Sequence, residues 1–449
     1  MNCSAYLRIP AITGLVFLSA AHQYGAEVRR LTLTDAVHLA LNQNRALKIA
    51  RLTVVENEQK KAGEHSAYFP TITNQSNALH ITDLQNIVIP AGALGTVAGS
   101  YVPAQSVALP QGQRTLVSSG TMIAQPLTQL IRIHEANRIA AAETAISRDD
   151  LKKAENQVAL EVHTLYFGIL IAQLQKQAAE QQTTYASEHL RENEDDVRNG
   201  SALKVAALEG RAGLLESQQS VLTAELQLSD LTTELNDLLG LPLDTQLELD
   251  PSVPTQVAQR PREEYVQAAW LENPEILAAE EVVRKAQAGV AAAKSAYVPD
   301  VTAFARDSYQ DGVPFLLRNF GTFGVNLDWE VFDFGKRRAA VRERDAQLEQ
   351  AEENLRRLKD EVAVSIERSY NKMNRTRNMV QVANEVVTLR QESERLARNQ
   401  LSQGMVLVSD QRQASAATYK AQADYLQANL GYLLAWAELE RAVGRTPGF

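Results

Sequence analysis

Residues 135–198 and 337–402 contain no proline and, between them, a single glycine, Gly168. At about 1.5 Å of rise per residue, each stretch would reach on the order of 90 Å as one continuous helix. Such a helix exceeds the width of an ordinary globular domain. It can bury its apolar positions only against other helices running alongside, so coiled-coil packing is expected. Composition agrees: aromatic residues make up 6% of the chain, while Ala, Gln, Glu, Leu and Arg, which suit helices, are abundant.

The two stretches belong to an internal duplication. Shifted by 229 positions, "DAVHLALNQNRALKIARLTVVENEQKKAGEHSAYFP" from Asp35 falls on "EYVQAAWLENPEILAAEEVVRKAQAGVAAAKSAYVP" from Glu264, with Asn44 on Asn273, Tyr68 on Tyr297 and Pro70 on Pro299. Farther on the shift is 204, with Tyr166 on Tyr370, Gly200 on Gly404 and Gly240 on Gly444. The difference, 229 − 204 = 25, places 25 extra residues in the first copy between Pro70 and Leu151. Residues 81–114, rich in Gly, Pro, Ser and Val, lack helical periodicity and read as a long loop there. Each copy then has one order. A helix of roughly 35 residues ends at Ala-Tyr-x-Pro, an extended region follows, and two long helices flank a glycine. Gly200 and Gly404 are expected at hairpin turns, since glycine tolerates the left-handed conformation of a helix stop; a stutter in a continuous helix is the alternative. The expected units are 27–240 and 263–444, joined by a linker at 241–262 and followed by a tail at 445–449.

Residues 1–26 read as a secretory leader. Arg8 is the one charge before Glu27, an apolar stretch follows it, and small residues suited to cleavage come next. A buried N-terminal helix is the alternative. Cys3, the one cysteine, precedes the apolar stretch, so a lipidated N-terminus is not expected, nor is a disulfide within the chain. Beyond the leader no run of about 18 apolar residues occurs. If this chain crosses a membrane, it must do so as a closed β-barrel.

The extended regions carry that possibility. In "TFGVNLDWEVFD", Phe323, Val325, Leu327, Trp329 and Val331 share one face, and Thr322, Gly324, Asn326, Asp328 and Glu330 the other. Alternation of this kind suits a strand between lipid and a wet lumen, and equally a half-buried strand of a soluble sheet. Residues 299–308 are the expected partner, and 70–80 with 116–127 are their counterparts in the first copy. Four strands fall short of the eight or so that a transmembrane barrel needs, so the lipid reading requires an oligomer.

The order of these pieces resembles the TolC family of outer-membrane factors over residues 31–444. The family-like segments are "LTLTDAVHLALNQNRAL", "SAYFP", "SAYVPDV", "LDWEVFDFGKRRAAV" and "LGYLLAWAELERAVG". The resemblance implies an α+β membrane protein. Three chains would form one 12-stranded outer-membrane β-barrel, four strands from each, continuous with a long α-helical barrel in the periplasm. It implies a passive channel for efflux or type I secretion, partnered by an inner-membrane transporter, a periplasmic adaptor and outer-membrane lipid, with no cofactor. Pro70 and Pro299 match the family's helix-to-strand swivels. Asp410, six residues beyond Gly404, matches an acidic residue at the periplasmic constriction. The family's second acidic position falls on Gln413, a departure. Another falls on Ala206, with Glu209 three residues on, so the closure network must differ here. An acidic ring at Asp410 would favour cations; an ordinary aspartate near a helix N-terminus is the bland reading.

Other classes find little support. The formal charge of −9 argues against nucleic acid as a partner. His22, His38, His65, His80, His134, His163 and His189 show no HExxH spacing, and no P-loop or GxSxG occurs, so neither a metal site nor an enzyme is expected. The acidic run from Glu188 to Asp196 reads as a solvated helix face rather than a metal cluster. The rival function is a secreted periplasmic coiled-coil scaffold without a pore; a periplasmic hydrolase would need a polar site that the sequence does not assemble.

Overall fold

The computed structural model describes residues 29–252, 257–313 and 316–447. The expected leader at 1–26 lies outside the described residues.

The first copy begins with β1 (Arg29–Leu31), α1 (Leu33–Gln43) and α2 (Arg45–Ser66). Where the sequence suggests one helix of some 35 residues, the structure has two. The Asn44 side chain accepts from the backbone N–H groups of Ala46 and Leu47, capping α2 and breaking the chain away from α1. The second copy repeats the break between α5 (Arg262–Glu272) and α6 (Pro274–Ser295), where Asn273 caps α6 and Pro274 opens it.

After α2 come β2 (Thr71–His80), four short strands, β3 (Asn86–Ile89), β4 (Thr96–Val97), β5 (Ser100–Tyr101) and β6 (Val107–Pro110), and then β7 (Thr115–Pro126). The segment 81–114, expected to be a loop, is a two-stranded extension: β3 pairs with β6 and β4 with β5, turned by positive-φ glycines at 92, 95 and 99. Its strands are too short to register as periodicity. Two helices follow, α3 (Leu130–Arg198) and α4 (Lys204–Leu239), then β8 (Leu247–Leu249), which pairs in parallel with β1. The second copy continues with β9 (Asp300–Asp311), β10 (Asn319–Asp328), α7 (Lys336–Ser402) and α8 (Val408–Val443).

Two features join the copies. In the sheet, β7 pairs with β9, giving the antiparallel order β10-β9-β7-β2 with both outer strands unpaired along one edge. Among the helices, α3 packs against α4, α8, α6 and α2, and α7 against α8 and α6. The lateral order is therefore α4-α3-α8-α7 on the hairpin side and α2-α3-α6-α7 nearer the sheet.

The densest core lies between these levels, where Tyr166, Phe167, Leu235, Leu239, Ile276, Ile366, Leu430 and Leu433 are buried beside α1, α5 and the β1–β8 pair. The Tyr166 hydroxyl lies 3.0 Å from the Leu31 carbonyl and 2.8 Å from that of Asp250, and burial pushes its pKa to about 12. The repeat also crosses itself here. Asn44 donates to the Leu238 carbonyl near the end of α4, and Asn273 to the Ala442 carbonyl near the end of α8.

Candidate functional site

The sheet sets the first part of the site. Register places Phe323 beside Ala305, then Ile123, then Ile72 across all four strands. Val325 pairs with Ala303 and Leu327 with Val301 on the same face. Phe323 is 89% exposed, and Val325 and Leu327 are also exposed. Trp329 and Val331 are exposed as well, but both lie past Asp328, the last residue of β10. The apolar band occupies the helix-proximal half of the face. Farther along it Asn74, Ser76, Ser119 and Thr121 hydrogen-bond to one another. The other face carries Arg306, whose guanidinium crosses Gly120: a Cβ there would stand 2.7 Å from Nη2. Sequence reasoning did not find this pair, because its partners belong to different copies and meet only through the β7–β9 ladder.

Both prolines stand between helix and strand. Pro70 separates α2 from β2, and Pro299 immediately precedes β9. Thr128, ahead of α3, donates its hydroxyl to the Pro299 carbonyl at 2.7 Å and accepts from Val301 N–H at 2.8 Å. This pins the start of β9 to the neighbouring copy. The corresponding turn before α7 is fixed by Asp333, whose carboxylate accepts from Arg337 through the backbone N–H at 2.9 Å and the guanidinium at 2.7 Å. Those bonds hold its pKa down to about 2.

The opposite end of the helices forms the second part. Gly200 (φ +77°) lies between α3 and α4, and Gly404 (φ +68°) between α7 and α8. Asp410 is exposed in the first turn of α8 and accepts from Leu407 N–H at 3.0 Å, a helix-capping bond. Glu192 of α3 reaches across and accepts from Ser409 N–H at 2.9 Å. The two hairpins are thus tied at their tips by a carboxylate that sequence reasoning placed only in a solvated run. Much of that run is ion-paired along its own helix, Glu188 with Arg191 and Asp195 with Arg198. Glu209 is exposed on α4. Among the described residues no group of His, Cys, Asp and Glu has metal-binding geometry.

The profile of a family described as outer membrane efflux protein matches residues 265–445. The chain is 22% identical over 316 residues to the alkaline protease secretion protein AprF of Pseudomonas aeruginosa, a match covering 68% of this chain and 65% of AprF. It is 24% identical over 383 residues to the outer membrane efflux protein BepC of Brucella suis, covering 82% of this chain and 75% of BepC. Its fold is that of the Campylobacter jejuni CmeC outer membrane channel, with a TM-score of 0.72 at 15% identity over 98% of this chain and 94% of that one.

Proposed function

We propose a function from the premise that this chain belongs to the TolC family of outer-membrane efflux proteins: it is one of three subunits of a passive export duct in the outer membrane, with a long periplasmic tunnel. A pore-free scaffold finds no support in the family match or in either relative.

One observation carries the closed ring, whose count of three is what the family resemblance implies: the two lateral edges of the chain are both open, and they complement each other. At one edge lie β2, α2 and α4; at the other lie β10 and α7. Strand β10 runs toward the helices and β2 away from them, so joining β10 of one copy to β2 of the next continues the antiparallel alternation. Three copies would close twelve strands, above the minimum of about eight.

The helices offer a matching seam. Leu208, Leu215, Leu222 and Leu226 form an exposed stripe on α4, and Met379, Val382, Val386, Leu389 and Leu396 one on α7. The spacings of seven and of three and four are those of coiled-coil seams. Leu208 and Leu396 each stand eight residues from their hairpin glycine, Leu215 and Leu389 fifteen, Leu222 and Val382 twenty-two. Since α4 leaves its tip and α7 approaches its own, the stripes meet at equal heights as an antiparallel pair.

Within this assembly the repeat units 27–240 and 263–444 each supply one strand pair and one hairpin, turning at Gly200 and Gly404. Pro70 and Pro299 act as helix-to-strand swivels, the Phe323 face meets lipid, and Asp410 lines the periplasmic constriction. An inner-membrane transporter and a periplasmic adaptor engage the hairpin end. AprF is named for protease secretion and BepC for efflux, and a passive duct of this kind suits either class of cargo. Crosslinking in detergent tests the reading: a trimer is expected, and a stable monomer that conducts ions in a bilayer would exclude it.

A further inference from the structure

Two unfavourable local features coincide where the sheet gives way to helix. Between β10 and α7, Phe334 holds φ +55°, in the left-handed region that a bulky side chain adopts only at a cost. Its ring is 91% exposed. Phe332, also exposed, meets it edge-on with ring centroids 4.6 Å apart. Neither ring belongs to the core. The strained turn is held by Asp333, which accepts from Gly335 N–H at 3.0 Å as well as from Arg337, and by Arg337, which donates to the Glu330 carbonyl at 2.6 Å. The Arg337 guanidinium lies 5.3 Å from the Tyr297 ring centroid. Asp333 and Arg337 are thus turned into the protein while Phe332 and Phe334 are thrown outward.

The second feature is charge. Lys336, Arg338, Arg342 and Arg344 are exposed in the opening turns of α7, and its first turn contains no acidic residue. Cations at a helix N-terminus oppose the macrodipole. Asp333 offsets part of this from within the turn, and with Glu343 and Asp345 the only acidic residues among them, the exposed cations of residues 336–345 still leave a positive excess. Exposed aromatic rings beside a cluster of Lys and Arg suit the boundary between acyl chains and anionic headgroups.

We propose that the Phe332–Phe334 turn and the cationic start of α7 dock onto the anionic phospholipid layer bordering the barrel, with the rings at the acyl boundary and Lys336, Arg338 and Arg342 at the phosphates. The inference rests on the outer-membrane reading above and deepens it by naming the lipid chemistry and the residues that fix the depth of the barrel. The competing occupant is a neighbouring copy of the chain.

The test uses the full-length assembly, with Cys3→Ser and a nitroxide on Phe334→Cys, in phosphatidylcholine vesicles with and without phosphatidylglycerol. The label should relax more with oxygen than with a water-soluble nickel chelate, and more so with phosphatidylglycerol. The combined Lys336→Gln, Arg338→Gln and Arg342→Gln variant should lose the phosphatidylglycerol effect. Strong relaxation by nickel, or shielding from both agents as at a packed chain interface, would overturn the inference. A label on Val325→Cys separates the two readings. Val325 in lipid with Phe334 elsewhere defeats this inference alone, whereas Val325 open to nickel defeats the barrel itself. Phe334→Gly removes both the ring and the left-handed penalty, so the assembly in detergent should be as heat-stable as the parent or more so; a lower melting temperature would assign the ring a packing role instead.

Discussion

At the scale of single residues, the left-handed glycines that follow the long helices differ in what surrounds them. Gly404 has open space around it, and a methyl group there meets only the left-handed backbone penalty, about 1–2 kcal/mol. Gly444 (φ +107°) is enclosed: a Cβ would lie 2.5 Å from Asn273 Cα and 2.8 Å from the Glu272 carbonyl. Gly444→Ala should therefore cost roughly 1–3 kcal/mol more than Gly404→Ala, read as the temperature at which the oligomer melts. Buried His163 adds a pH dependence. Its Nδ1 lies 2.7 Å from the Ala159 carbonyl, and desolvation lowers its pKa below the ordinary 6.5. A base whose folded-state pKa is depressed stabilises the fold above its unfolded value, and this contribution is lost as pH falls from 6.5 toward the folded value. Replacing His163 with Leu should flatten the melting temperature across that window; an unchanged slope would remove His163 as its source. Asp410 separates charge from capping. Asp410→Asn keeps an acceptor for Leu407 N–H and removes the charge, so reduced cation selectivity in single-channel recordings should appear with Asn as well as with Ala. Selectivity unchanged in both would leave Asp410 as a helix cap.

At the scale of elements, the exposed stripes on α4 and α7 make the sharpest claim. A cysteine at Leu215 and another at Leu389 should crosslink between chains and not within one, because α4 and α7 occupy opposite edges of the protomer. Leu389→Glu places a carboxylate in an otherwise apolar seam and should convert the detergent-resistant oligomer to monomer, since full burial of one leucine contributes about 1.5–3 kcal/mol. Persistence of the oligomer would move the interface elsewhere on α7. The extension carrying β3 to β6 makes a topological claim. The helices lie at one end of the sheet and the extension at the other, so added protease should cut within 81–114 on intact cells. Cleavage only after the outer membrane is opened would reverse the orientation or fold the extension into the lumen.

At the scale of the whole molecule, a single chain is an open object, with a four-stranded sheet unpaired at both edges and helical flanks lined with exposed leucine. Open edges of this kind invite pairing, and closure into a barrel removes them. In the proposed ring, each lateral surface would be one half of an interface whose other half lies on the opposite side of the same chain. That heterologous geometry closes into a ring when the rotation between copies permits. In the proposed trimer the hairpin tips would converge, and the Glu192–Ser409 tie between them would be part of what resists opening. Glu192→Gln keeps the hydrogen-bond acceptor and Glu192→Ala removes it, so single-channel conductance should rise with Ala and remain close to the parent with Gln.

The sequence determined what depends on local periodicity and on duplication. Absence of proline set the lengths of α3 and α7, period-two alternation marked β10, and the doubling of Asn44 as Asn273 and of Gly240 as Gly444 announced two like units. It could not say that Asn273 and Gly444 touch, because the match aligned Asn273 with Asn44 and never with its contact across the fold. The same limit hid Arg306 over Gly120, which exists only because β7 pairs with β9. It also hid Glu192 on Ser409, which requires α3 to lie against α8. Alternation runs on through Trp329 and Val331 although pairing stops at Asp328, because side-chain pattern does not record where a ladder ends. Tertiary structure decided which faces meet, since a stripe of leucines on one helix specifies that something must cover it but not which surface does.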